Sequence, residues 1–222
     1  MAAFSNNAES TVSDFEKNFF LSFYKAVISQ YQPRIEKRAG VQLGQIDVWE
    51  YSHLNEHRVE QLKQSLGLFR SMLFRRQIHE YAVHGKEMDE VGARTHMAAY
   101  HKNAIYVSFD ARPGHEHWVA EIVVHELAHA LFEKLGGPSY EDRFDFSPEE
   151  EKQLELICEG YATFAQTVWF RDFYPLHARI DVGSTPYHEE TIYARGLERI
   201  QQLVKEHGQK ALLEIPCHWR KF

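Results

Sequence analysis

Trp118-Val119-Ala120-Glu121-Ile122-Val123-Val124-His125-Glu126-Leu127-Ala128-His129-Ala130-Leu131-Phe132 reads as an apolar helix with polar groups at its centre. Apolar residues lead into His125 and recur through Leu127, Ala130, Leu131 and Leu135, and Gly136-Gly137-Pro138 supplies a stop. At 3.6 residues per turn, His125 and His129 lie on one face one turn apart, so both imidazoles can reach a single divalent ion. Glu126 sits beside that face, positioned to polarise water and not to ligate. In a mostly buried helix, two His and a Glu are poorly solvated without partners, which favours a metal site over a solvated His-rich surface.

A catalytic zinc ion takes three protein groups and keeps one position open, so a third ligand is required. Glu159, in Glu159-Gly160-Tyr161-Ala162-Thr163-Phe164, is the best candidate. Ser147-Pro148-Glu149-Glu150 is a helix start: Ser147 can cap, Pro148 suits the first helical position, and Glu150 completes a capping box. From there Leu154, Ile157, Cys158, Tyr161, Ala162, Ala165 and Val168 recur at three and four. Glu159 therefore lies mid-helix among apolar neighbours, where a carboxylate is costly unless it meets a cation.

The segment from His125 to Phe132, taken with the Glu159 hexapeptide, resembles the zinc signature of gluzincin metallopeptidases. It is most similar to their aminopeptidase branch, whose second motif reads Glu-Gly-aromatic-Ala-Thr-aromatic. The resemblance implies a zincin-like α+β fold, helix-rich with a small sheet beside the active-site helix. It also implies Zn2+ held by His125, His129 and Glu159, with Glu126 as general base for hydrolysis of a peptide or protein substrate. Two features depart from the family. The 29 residues between His129 and Glu159 exceed the usual gluzincin gap, so a loop, supplied by Pro138 to Ser147, has to fit between the helices. The Gly-x-Met-Glu-Asn segment with which the aminopeptidases recognise a free amino group has no counterpart here. Thr95-His96-Met97-Ala98-Ala99-Tyr100, in the matching place, carries no carboxylate, so endopeptidase activity is expected. Gluzincins also carry a downstream Tyr or His that hydrogen-bonds the developing oxyanion. Tyr187, His188 and Tyr193 are the candidates, and Tyr193 is preferred because Ala194 and Gly196 beside it could open onto a cleft.

The rest of the chain bounds this reading. With 222 residues, 44% of them hydrophobic, the chain can bury a substantial core, and a formal charge of −7 argues against a nucleic-acid footprint. No stretch approaches a membrane span, and residues 1–7 have neither the basic region nor the apolar run of a signal peptide. Cys158 and Cys217, the only cysteines, are too few for a disulfide scaffold, so free thiols and a cytoplasmic location are expected, with Cys158 a small buried side chain. Residues 1–12 read as a disordered tail, and 13–222 as a single domain with an N-terminal lobe to about 137 and a helical C-terminal lobe from about 138.

Outside the motifs, Asp14 to Lys37 has helical aromatic spacing interrupted by Pro33, Gln45 to Tyr51 reads as a strand, and Val59 to Ala82 as a helix. Arg70, Arg75 and Arg76 would form the solvated face of that helix. Thr95 to Tyr100 and Ala104 to Phe109 read as a hairpin turned at His101-Lys102-Asn103, its first strand an edge for substrate pairing. A helix is expected from about Tyr187 to Glu206 and a short one from Gln209 to Leu213. His115 and His117, two apart, point away from each other on a helix and read as a solvated entry. Two rival functions remain open. A di-iron carboxylate protein would need Glu50 and His53 as a second Glu-x-x-His, and a zincin fold could serve as a binding or regulatory module.

Overall fold

A computed structural model describes residues 14–73, 98–108, 119–139, 142, 146–173 and 191–222. The expected tail, His115, His117, Tyr187, His188, Arg75, Arg76 and the side chain of Arg70 lie outside the described residues. The described chain is α+β: helices α1 (Asp14–Ala39), α2 (Leu54–Leu73), α3 (Val119–Lys134), α4 (Pro148–Phe164), α5 (Ile192–His207) and α6 (Ala211–His218) surround a sheet. The strands are β1 (Asp47–Glu50), β2 (Ala98–His101) and β3 (Ala104–Val107), in spatial order β1-β3-β2. β1 runs parallel to β3 and β2 antiparallel to it.

In α1, Tyr24, Val27, Ile28, Tyr31 and Ile35 are buried, a stripe at helical spacing that meets α3 and the sheet. Pro33 removes one backbone hydrogen bond but does not interrupt the helix, because buried Tyr31 and Ile35 anchor it on both sides. Phe15 and Phe19, within the segment of helical aromatic spacing, are 79% and 59% exposed: the buried stripe begins only at Tyr24, and the first turns project beyond it. α2 starts earlier than expected and is broken at Gly67, whose φ of 67° is left-handed. The hairpin turn is also tighter than expected. Lys102 and Asn103, with φ of 36° and 58°, form a two-residue turn, which places His101 in β2 opposite Ala104.

Two cores flank the seam between α3 and α4. One packs α1, the sheet and most of α3 with Ala162, Ala165, Phe170 and Phe173. The other joins Phe132 of α3 to α4, α5 and α6. A smaller cluster of Tyr51, Leu54, Ala104 and Tyr106 covers the far face of the sheet. No described helix is long and apolar enough to cross a membrane.

The expected capping box forms at the start of α4: Glu150 N–H donates to Ser147 Oγ at 3.3 Å and Ser147 N–H to Glu150 Oε2 at 2.9 Å. After Phe164 the chain widens into a π-turn, Ala165–Trp169, in which Phe170 N–H bonds Ala165 O at 2.8 Å. α5 is capped by Thr191, whose hydroxyl accepts from Ala194 N–H. α6 runs past the expected Leu213 to His218 and contains Pro216.

Candidate metal centre

α3 is buried on both flanks, by Val123, Val124, Leu127, Ala128, Ala130 and Leu131, and this fixes the direction in which its polar residues point. His125 and His129, one turn apart, lean toward α4, where Glu159 lies mid-helix. His129 Nε2 is 3.2 Å from His125 Nε2, and Glu159 Oε2 is 3.3 Å from His125 Nε2 and 3.5 Å from His129 Nε2. Four-coordinate zinc, with bonds of about 2.0–2.1 Å, sets its donors about 3.3 Å apart, so this triangle fits the edge lengths of a tetrahedral site. Among the described residues, these three form the one such cluster of His, Cys, Asp or Glu.

The far side of each imidazole is also held. His125 Nδ1 lies 3.2 Å from Gln166 Oε1, and His129 Nδ1 lies 3.2 Å from Cys158 Sγ. Neither contact follows from the sequence, in which Cys158 is no more than a small apolar-face residue. Cys158 and Cys217 are free thiols, as expected. Burial alone would raise the Glu159 pKa, but the charge on His129 and the hydrogen bonds from both imidazoles hold that carboxyl far below the usual range. For His129, burial works to lower the pKa, and the Cys158 sulfur and Glu159 carboxylate outweigh it and raise it. The polar triangle therefore sits in a buried setting where a cation is stabilised by the protein.

Glu126 is 6% exposed and is not part of the triangle. Its Oε2 accepts a 2.6 Å hydrogen bond from the Tyr100 N–H of β2, one of the two edge strands of the described sheet. The Tyr193 ring centroid lies 6.1 Å from that of His125. This approach depends on the crossing of α4 and α5, where Gly160 and Gly196 touch: a Cβ on either would come within 2.3–2.5 Å of the other helix's backbone. Gly160 follows Glu159, and Gly196 is one turn beyond Tyr193, so one close crossing brings both side chains to the same place.

These groups line a cleft of about 280 Å³ that reaches from Ser139 and Glu155 past the triangle to Tyr51 and Arg58. Glu133 also lines it, accepting from the Tyr100 hydroxyl, which in turn accepts from Asn103 N–H at 3.0 Å. Glu133 and Glu155 lie outside residues 95–100, the segment in which the sequence points to an amino-group acceptor, and no local pattern marks them. Glu50 is paired with Lys17 at 3.1 Å and, among the described residues, is not part of a group that could hold a metal ion. The chain matches no protein-family model, no curated protein and no solved structure.

Proposed function

We propose that the chain is a zinc-dependent metallopeptidase of gluzincin type on a zincin-like frame, with Glu126 as general base. One observation carries the reading: a donor triangle with sides of 3.2–3.5 Å lies beside a buried carboxylate that is not part of it. A hydrogen-bonded His-His-Glu cluster with a purely structural role has no need of that neighbouring carboxylate. Zinc held by His125, His129 and Glu159 would supply Lewis acidity toward a carbonyl and acidify water. Glu126 then holds the transferred proton on Oε1, since Oε2 is engaged by Tyr100 N–H, and returns it to the leaving amine. The Tyr193 hydroxyl, on the cleft wall, donates to the developing oxyanion, a contribution of about 10²–10³ in rate. The outer edge of β2 offers backbone groups to an extended peptide.

Metal analysis combined with peptide hydrolysis tests the proposal. One zinc per chain is expected, with Glu159→Gln losing most of it. Glu126→Gln is expected to keep the zinc and lose hydrolysis. Full zinc retention by the Glu159 variant would remove that residue from the ligand set, and hydrolysis by Glu126→Gln would end its assignment as base.

A further inference from the structure

We infer that Cys158 and Gln166 are the positioning residues of the metal centre, fixing the tautomer and tilt of His129 and His125. The inference rests on the metal reading above and goes beyond its ligand set. For an imidazole to present an Nε2 lone pair, its proton must sit on Nδ1, and Nδ1–H needs an acceptor. Gln166 Oε1 accepts, so with the His125 Nε2 lone pair given to a metal, the 3.2 Å contact holds the remaining proton on Nδ1. At His129 the acceptor is Cys158 Sγ, also 3.2 Å away. The opposite sense, S–H donating into Nδ1, would leave the proton on Nε2, in the middle of the donor triangle.

Both acceptors come from the polypeptide that supplies the third ligand. Cys158 precedes Glu159, and Gln166 lies seven residues after it, two turns along nearly the same stripe where α4 runs on into the π-turn. His125 meets the later residue and His129 the earlier one, so α3 and α4 run antiparallel and the two contacts span the seam at both ends of the triangle. Gln166 belongs to the π-turn, where Thr167 Oγ1 donates to Thr163 O at 2.7 Å as the backbone ladder widens. Gln166 and Cys158 are each 8% exposed, so water cannot readily replace either acceptor. α4 and the π-turn that continues it therefore carry one ligand and orient the other two, through a sulfur and an amide oxygen where metal-bound histidines commonly face a carboxylate.

The test is zinc affinity by chelator competition, with the visible spectrum of the Co2+ form as a second readout and the melting temperature of the metal-free variants as a folding control. Gln166→Leu, which removes the acceptor, is expected to weaken zinc binding about 10–100-fold and to alter the Co2+ ligand-field bands. Gln166→Glu restores an acceptor and is expected to bind at least as tightly as the parent. Cys158→Ser is expected to bind within about threefold of the parent, whereas Cys158→Ala is expected to lose about tenfold or more. Affinity that follows the acceptor and not the melting temperature supports the inference. If the parent binds zinc and both Gln166→Leu and Cys158→Ala bind it equally well, the positioning roles are overturned and the metal reading stands. If the parent binds no zinc, the metal reading itself fails.

Discussion

Glu121 shows how burial acts on a single group. It lies one turn before His125 and is 5% exposed, and burial pushes its carboxyl up from 4.5 to about 7. The unfolded chain loses that proton near the lower value and the folded chain near the higher one, so folding retains a proton across the interval. Glu121 therefore makes its full relative contribution to stability below about pH 4.5 and loses it as the pH rises to about 7. Glu121→Gln should unfold like the parent at pH 4.5 and be more stable at pH 8, by up to about 3 kcal/mol. Denaturant titrations at the two pH values measure this, and an equal effect at both would show that burial does not govern the group. Glu159 illustrates the complementary case: burial would raise its carboxyl, and the two imidazoles beside it hold it low instead.

At the scale of elements, the α4–α5 crossing brings Tyr193 to the site and packs against the helix that carries Glu159. Gly196→Ala would put a methyl group 2.5 Å from Leu156 O and 2.7 Å from Gly160 Cα, backbone atoms that cannot rotate away. The expected result is a loss of about 1–3 kcal/mol in stability, with a further loss of zinc affinity as α5 moves off Glu159. Gly208 is the control: its φ is 76°, and a methyl group there would meet nothing within 4 Å. Gly208→Ala should therefore strain only the backbone and leave zinc affinity unchanged. Equal zinc affinity in both variants would disconnect the crossing from the site. Elements of this kind are unevenly legible in the sequence. His125, Glu126, His129 and the Ser147 cap can be read because helical spacing and capping chemistry are local. Gln166 and the Tyr100 N–H cannot, since an acceptor behind a histidine has no fixed spacing and a backbone donor has no sequence signature. The unbroken helix through Pro33 is hidden for a related reason: tertiary anchoring by Tyr31 and Ile35 outweighs a local breaker.

For the whole molecule, on the proposed peptidase reading, the cleft decides which end of a peptide would matter. Its walls come from β2, α2, α3, α4 and α5, and the edge of β2 carries Tyr100, whose N–H already points out of the ladder toward Glu126. On the proposed reading, an extended peptide would pair with the outward backbone groups of β2 that Glu126 does not engage, from an interior segment as well as from an end. Recognition of a free amino terminus needs a dedicated carboxylate, because an ammonium in a partly desolvated cleft without a partner costs several kcal/mol. Glu133 and Glu155 line the cleft, but Glu133 is already engaged by the Tyr100 hydroxyl, and Glu155 is exposed, where water screens it. Endopeptidase activity is therefore expected: matched peptides with free and acetylated amino termini should be cut at comparable rates, and Glu133→Gln should leave their ratio unchanged. If acetylation abolished cleavage and Glu133→Gln abolished the discrimination, Glu133 would be the ammonium acceptor and the chain an aminopeptidase.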